Sequence, residues 1–293
     1  MPREVSERAH ALLRGDWQPP PLRDATTVVL LRDADGLETY LMRRASTMAF
    51  AAGMHVFPGG RIDEADITAE VSWVGPDIEA ARMTASPELA RGLIVCAVRE
   101  IFEETGVLLA VDAEGMPPVE DADWERDRAA VHASSAALPA VLARRGLSLD
   151  PSLLPLWSHW VTPEVEAKRY DVRFFVAAVP RGQLARDVSG EADHVRWVSP
   201  ADALTAYGRG ELSMLPPTAA TIADLLPLPD VVSVLTAAAS RDVCPLMPRP
   251  RLLDDDAIAW DVIDVRDGRV VVALPGEPAG SEEHGTRPMQ DGS

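Results

Sequence analysis

The sequence lacks the features that would place the protein in a membrane or outside the cell. In its 293 residues, no apolar run approaches the length of a membrane-spanning helix, about 20 residues. The charged N-terminal stretch lacks the apolar centre of a signal peptide, and the C-terminal residues match no lipidation or address motif. Cys96 and Cys244 are the only cysteines and show neither a disulfide nor a zinc-ligand pattern. We therefore expect a cytoplasmic protein without a membrane partner.

Positive charge is also scarce. The chain has 28 Lys and Arg residues against 46 Asp and Glu residues, a net charge of −18, and Lys168 is its only lysine. So acidic a chain repels nucleic acid, and we expect no nucleic-acid partner. It also repels a phosphate-bearing substrate, unless bound cations reverse the charge locally.

The pattern of apolar residues predicts an α+β protein with a mixed sheet. Runs of β-branched and aromatic residues predict strands at 25–33, 37–45, 55–60, 107–111, 154–163, 169–179 and 193–200. Helices are predicted at 5–14, at 87–105, within 121–146, at 199–210 and twice within 216–240. A small β unit is expected at 251–275.

The same pattern suggests how the chain is divided. Residues 1–24 form a polar, proline-rich lead-in, and 25–227 form the main domain. Residues 228–275 are expected to be a helical and β extension, and 276–293 a disordered tail. Residues 67–88 are mixed and acidic, with glycine and prolines, and predict an irregular excursion or a short helix within the main domain.

The helix predicted at 87–105 has clear ends and one apolar stripe. Ser86 is a good N-cap, Pro87 suits the first turn, and Gly106 ends the helix. The stripe is formed by residues spaced by four and three positions, which are Ile94, Val98 and Ile101. The stripe predicts which side of the helix meets the core.

Three glutamates share another face of this helix. Glu100, Glu103 and Glu104 lie at i, i+3 and i+4. A solvated acidic face is the ordinary interpretation of such a pattern. However, these side chains lie near the C-terminal end, where the helix dipole disfavours anions and the charges repel one another. A helix selected only for stability would carry Lys or Arg there, so the cluster indicates a function.

Together with a glycine turn, these residues resemble the signature of the Nudix hydrolases. That signature is G, five residues, E, seven residues, then R-E-U-x-E-E-x-G-U, where U is a bulky aliphatic residue. Gly60 opens the match, and its second half continues without mismatch through Arg99, Glu100, Ile101, Glu103, Glu104, Gly106 and Val107. Asp66 replaces the usual Glu, and 32 residues replace the usual seven before the arginine. A long insertion at this point, and segments beyond the motif, are similar to the branch of CoA and acyl-CoA diphosphatases.

The resemblance implies a Nudix fold, a mixed β-sheet sandwiched between helices, with 67–88 as an insertion in the signature and a small C-terminal extension. It also implies a Mg²⁺ or Mn²⁺ ion held by Glu100, Glu103, Glu104 and the carbonyl oxygen of Gly60. Arg99 would orient a neighbouring carboxylate. Glu191 is a candidate general base, with an ordinary loop acid as the alternative interpretation.

Candidate substrate-binding residues come from several segments. Arg44 and Ser46 lie near the positions where CoA-directed relatives carry arginine and serine. Arg61 and Arg169 could hold phosphate oxygens through two parallel hydrogen bonds, although pairing with the chain's own acids is the alternative. Trp160 and Tyr170 are candidates for stacking on a nucleobase.

The predicted activity follows from the resemblance. It is metal-dependent hydrolysis of a diphosphate linkage in a nucleoside-diphosphate-linked small molecule, by attack of water at phosphorus, with CoA or an acyl-CoA as candidate substrates. One alternative is a pyrophosphatase for NADH, ADP-ribose or a nucleotide sugar. Another is a catalytically silent module that binds such a ligand. A homodimer is left open.

Overall fold

A computed structural model of the chain describes residues 3–45, 52–84, 86–188, 190, 192–253 and 257–273. The predicted site residues Ser46 and Glu191 and the tail predicted at 276–293 lie outside the described residues. The chain forms two compact units. The larger unit comprises Leu22–Val161 and Tyr170–Pro245, and the smaller one comprises Met1–Pro21, Thr162–Arg169 and Leu246–Ser293. The boundaries proposed above at residues 24 and 227 remain predictions.

The larger unit is built on a β-sheet. Its strands are β1 (Leu22–Asp33), β2 (Leu37–Arg44), β3 (His55–Val56), β4 (Leu156–Val161), β5 (Arg169–Ala178) and β6 (Ala192–Val198). They follow the order β3-β2-β1-β5-β4, and β6 pairs with β2. The centre of β1 is an aliphatic run whose side chains are fully buried, Val28–Leu31. This strand therefore forms the middle of the core.

Helices cover this sheet. They are α2 (Glu64–Ile67), α3 (Ala80–Met83), α4 (Pro87–Thr105), α5 (Trp124–Ala133), α6 (Leu138–Arg145), α7 (Pro200–Gly208), α8 (Pro216–Leu225) and α9 (Val231–Ser240). The α+β class is thus confirmed. Within the described ranges, no helix is both long enough and apolar enough to cross a bilayer.

Helix α4 has the predicted bounds. Its first turn is capped by Ser86, whose Oγ accepts a hydrogen bond from the Leu89 N–H at 3.2 Å. It ends where Gly106 takes a left-handed φ of 76°. The short helix α2 lies close to α4 at Gly92, where an added Cβ would be 3.0 Å from side-chain atoms of Ile62 and Ile67. This close approach brings the start of the long insertion against the middle of α4.

The strand predicted at 107–111 is not formed. Residues 107–110 are buried and apolar, as a central strand would be, but only Val111 makes an isolated bridge, with Ser148. The side-chain amide of Gln183 instead accepts from the Leu108 N–H at 2.8 Å and donates to the Leu108 carbonyl at 3.2 Å. Because a buried glutamine satisfies the backbone here, the segment can be buried without a neighbouring strand.

The smaller unit contains helix α1 (Arg3–Arg14) and three antiparallel strands, β7 (Pro245–Leu252), β8 (Ile258–Asp264) and β9 (Val270–Ala273). The β unit predicted at 251–275 is present, and its first strand begins earlier, at Pro245. Its core is a small apolar cluster of Ala9, Val165 and Ile258. The Trp17 indole N–H donates to the carbonyl of Glu164 at 2.8 Å, which fixes the chain before β1 within this unit.

Candidate active site

Arg99 is the centre of an ion-pair cluster on α4. Its Nε and Nη2 donate to the two carboxylate oxygens of Asp66 at 2.8 and 2.9 Å. Its Nη1 donates to Glu100 Oε1 at 2.7 Å and to Glu103 Oε1 at 3.1 Å. Nη2 also donates to the carbonyl of Arg61 at 3.2 Å. The expected pairing of Arg99 with neighbouring carboxylates is therefore observed, and Asp66 takes part in it.

The cluster has more negative than positive charge. The Glu100 and Glu103 side chains are each 13% exposed and that of Asp66 is fully buried, so these acids are not a solvated surface. Burial raises the pKa of Glu100 to about 7 against the attraction of Arg99, and the charge of Glu103 raises it further. Burial likewise raises the pKa of Glu103. A single guanidinium therefore does not compensate these carboxylates.

The glycine turn brings backbone close to two of the glutamates. The Gly59 N–H donates to Glu104 Oε2 at 2.8 Å. A Cβ added at Gly60 would lie 2.2 Å from Glu100 Oε1, so only glycine leaves room for that carboxylate. The Gly60 carbonyl accepts from the Thr26 N–H at 2.9 Å, and a carbonyl oxygen has a second lone pair. The turn therefore positions Glu100 and Glu104 relative to β1.

The donor set suits a hard divalent cation, because Glu100, Glu103 and Glu104 supply buried carboxylate oxygens whose charge is only partly compensated. In the conformation described, Glu100 and Glu103 both point to Nη1 of Arg99. Within the described part of the chain, no group of three or more His, Cys, Asp or Glu side chains is already arranged around one metal position. For Glu100 and Glu103 to coordinate a metal through these oxygens, their side chains would have to turn away from Arg99 Nη1.

Tyr40 is a neighbour of this cluster that the sequence did not indicate. Its side chain is 1% exposed, and its hydroxyl has no hydrogen-bond partner among the described residues. Burial raises the pKa of Tyr40, and the carboxylates of Asp187 and Glu104 raise it further. The alternation of β2 could have indicated a buried tyrosine. Its acidic neighbours come from distant segments, so sequence spacing could not reveal them.

The remaining predicted residues are found in different surroundings. Arg61 is exposed beside the glycine turn, with Nη2 at 3.6 Å from Asp63 Oδ1. Arg44 and Tyr170 are half-buried at the end of β2 and the start of β5. Trp160 is only 8% exposed, which leaves little ring surface for stacking. Arg169 is buried in the smaller unit, where it donates to the backbone carbonyls of Thr162 and Pro20. Their roles in substrate binding remain predictions.

Comparison with known proteins places this arrangement in a family. Residues 88–225 match the family model of the NUDT19 Nudix domain. The chain is 31% identical to a NUDIX hydrolase from Alicyclobacillus acidocaldarius, whose crystal structure it matches over 74% of its own length and 96% of the other chain, with a TM-score of 0.65. It is also 27% identical to the acyl-coenzyme A diphosphatase NUDT19 of Homo sapiens and 24% identical to that of Xenopus laevis.

The chain belongs to the Nudix hydrolase family. The predicted family, fold and resemblance to the CoA and acyl-CoA diphosphatase branch are thereby confirmed. Nudix hydrolases generally use divalent metal ions such as Mg²⁺. The match to the human relative covers 65% of that protein and 71% of this chain. The match to the Xenopus relative covers 57% of that protein and 61% of this chain.

Proposed function

We propose that the protein is a Mg²⁺- or Mn²⁺-dependent diphosphatase that hydrolyses a nucleoside-diphosphate-linked small molecule by attack of water at phosphorus. The observation that carries the proposal is the buried excess of carboxylate charge around Arg99, next to the glycine turn. Removing several carboxylates from water is costly unless a cation is bound. A protein with a net charge of −18 also needs such a cation to accept an anionic substrate.

Each residue of the cluster then has a distinct task. Glu100, Glu103 and Glu104 would hold the metal, which supplies charge neutralisation for the diphosphate oxygens and a water of lowered pKa. Arg99 holds Glu100 and Glu103 on one side of α4 while its other donors are fixed by Asp66. The Gly59 N–H orients Glu104, and the missing side chain of Gly60 leaves space for Glu100.

CoA and acyl-CoA are the substrates that we put first. Supporting this choice, relatives named acyl-coenzyme A diphosphatase share 24–27% identity with the chain. Arg44, at the end of β2, is our candidate for a phosphate contact. NADH, ADP-ribose and nucleotide sugars contain the same linkage and are the alternative substrates.

A substrate panel tests the proposal directly. Purified protein would be incubated with CoA, an acyl-CoA, NADH, ADP-ribose and a nucleotide sugar, with Mg²⁺, with Mn²⁺ or with chelator, and the products separated by chromatography. We expect metal-dependent cleavage at the diphosphate, fastest with CoA or the acyl-CoA. Ligand binding without cleavage of any compound would instead identify a silent binding module.

A single substitution tests the metal ligands. We expect Glu104→Gln to abolish turnover, because a neutral amide is a much poorer ligand for Mg²⁺. The fold should persist, since the amide oxygen can still accept from the Gly59 N–H. Glu114→Gln is the matched control, because Glu114 is exposed. Unchanged turnover in Glu104→Gln, with an unchanged melting temperature, would remove Glu104 from the metal site.

A further inference from the structure

A row of basic side chains crosses three neighbouring strands of the larger unit. His55 in β3 pairs directly with Arg43 in β2. His194 in β6 pairs with Arg43 from the other side of β2. Side chains of directly opposed residues share one face of a sheet, with Cβ atoms about 5 Å apart. Arg196 is two residues after His194 in β6 and therefore shares this face. We call these four residues the basic row.

The basic row concentrates positive charge on one face of the sheet. Arg43 and Arg196 are diagonal neighbours on that face, close enough for their long side chains to interact, and like charges there do not stabilise the strand pairing. The row is also unusual in a chain with a net charge of −18. Asp193 is an acid that compensates it in part, with Oδ2 at 3.4 Å from Arg43 Nη2, but both side chains are substantially exposed. Among the described residues, neither His194 nor Arg196 has a side-chain hydrogen bond or ion pair.

His55 adds an unsatisfied polar atom to the row. It is only 6% exposed, and its Nδ1 has no hydrogen-bond partner among the described residues. Burial lowers the pKa of His55, a hydrogen bond with the backbone of Ser213 opposes this, and the charges of Arg196, Arg43 and His194 lower it further. A buried nitrogen without a partner costs stability. A bound anion favours the protonated imidazole, and the Nδ1–H of that form can donate to the anion.

We propose that the basic row, His55, Arg43, His194 and Arg196, is a binding site for a phosphate dianion. Two guanidinium groups provide planar donor pairs that match phosphate oxygens, and the imidazoles add donors beside them. A dianion suits the row better than a carboxylate, because Arg43 is only partly neutralised by Asp193 and, among the described residues, Arg196 forms no ion pair with an acid. The site goes beyond the proposed diphosphatase activity, since it needs neither the metal nor cleavage.

The experiment measures phosphate binding without metal or turnover. Inorganic phosphate would be titrated into the full chain by calorimetry at low ionic strength with chelator present. We expect saturable binding to the wild type and binding weaker by about tenfold or more in the double variant His194→Gln/Arg196→Gln, as when charge-assisted hydrogen bonds are lost. Arg209→Gln is the matched control, because it removes one exposed arginine of the same unit, and it should bind like the wild type.

Absence of saturable binding to the wild type, or equal binding by the double variant, would overturn the proposal. A second measurement does not depend on variants: phosphate should shift the imidazole resonances of His55 and His194 and leave those of His10, in α1, unchanged. Unmoved His55 and His194 signals would likewise overturn it. Competition by CoA and dephospho-CoA identifies the source of the dianion. Competition by CoA but not by dephospho-CoA assigns a phosphomonoester of the ligand, and competition by neither compound assigns free phosphate. Equal competition by both would assign the row to their shared diphosphate and overturn the proposal of a dianion site.

Discussion

Asp66 and Arg99 form a buried pair joined by two hydrogen bonds, across 33 residues of sequence. The side chain of Asp66 is fully buried and that of Arg99 is 5% exposed. The Asp63 N–H also donates to Asp66 Oδ2 at 2.8 Å, so the carboxylate is held from both α2 and α4. An aspartate at the glutamate position of the Nudix signature therefore still orients the arginine, while Gly92 allows α2 to approach.

Substitution of Asp66 measures what this pair contributes to stability. We expect Asp66→Asn to lower the free energy of unfolding by about 1–3 kcal/mol, because the two buried hydrogen bonds from Arg99 to Asp66 lose their charged acceptor, while Glu100 and Glu103 still pair with the guanidinium. Urea unfolding at neutral pH measures the change. Glu64→Gln, an exposed change in the same helix, should stay within about 0.5 kcal/mol of the wild type. Similar stability of both variants would show that the pair contributes little.

Substitutions at the two glycines of the turn are expected to have different effects. In Gly60→Ala the new Cβ meets the carboxylate of Glu100, which can move away, whereas in Gly59→Ala it would lie 2.2 Å from the backbone oxygen of Thr26. Gly59 also has a φ of 151°, which L side chains rarely adopt. We expect Gly60→Ala to fold but to bind Mn²⁺ about tenfold more weakly, as loss of one well-placed ligand implies.

Gly59→Ala should instead lose about 3 kcal/mol of stability or fail to accumulate as folded protein, since backbone cannot yield cheaply. Circular dichroism and thermal unfolding measure folding, and calorimetric titration with Mn²⁺ measures binding. If Gly60→Ala binds Mn²⁺ as tightly as the wild type does, the position of the Glu100 carboxylate is not important for the metal.

Much of the site could be predicted because its residues are close together in sequence. The cap at Ser86 and the end at Gly106 fix α4, and the i, i+3, i+4 spacing puts Glu100, Glu103 and Glu104 on its successive turns. These are local rules of helix geometry, and all three carboxylates are found where the spacing places them. Their roles as metal ligands rest on the family resemblance and remain predictions.

Features that depend on pairing between distant segments could not be predicted. The apolar run at 107–111 predicts a strand, because sequence alone cannot reveal that Gln183 will satisfy its backbone. The row of His55, Arg43 and His194 depends on the register of three strands, and the spacing of the residues in sequence does not set that register. The register between distant strands is set by the packing of the whole fold, and a local sequence pattern does not encode it.

Substitution of Tyr40 tests how much an unpaired buried hydroxyl destabilises the fold. We expect Tyr40→Phe to unfold at the same or a slightly higher urea concentration, because it removes a buried group without a described partner. Thr105→Val is the matched contrast. Its buried hydroxyl donates to the Ile101 carbonyl at 2.7 Å and accepts from the Val107 N–H at 3.2 Å, so its loss should cost about 1–2 kcal/mol. A comparable loss in Tyr40→Phe would show that its hydroxyl is bonded in solution.

The buried ion pairs of Asp127 should make the stability of the fold depend on pH. Its 2% exposed carboxylate lies 2.6 Å from Arg144 Nη2 and 2.7 Å from Arg145 Nε. Burial alone would raise the pKa of Asp127, but the hydrogen bonds from these arginines outweigh it and hold the pKa below its ordinary value. Because the pKa is lower in the folded than in the unfolded chain, this stabilisation is complete above the unfolded value, about 3.9, and is lost as the pH falls through the folded value.

Asp127→Asn should therefore lower the free energy of unfolding at pH 7 by about 2 kcal/mol, a value reduced from that of a fully buried pair because Arg144 is half exposed. The difference between wild type and variant should shrink as the pH is lowered below about 4, where Asp127 takes up a proton first in the unfolded chain and, at lower pH, in the folded chain. Urea unfolding across this range measures it. Asp123→Asn, which removes an exposed partner of Arg126, should show a small difference at every pH. A difference for Asp127→Asn that stays constant with pH would mean that the lost contribution is packing and not the ionised carboxylate.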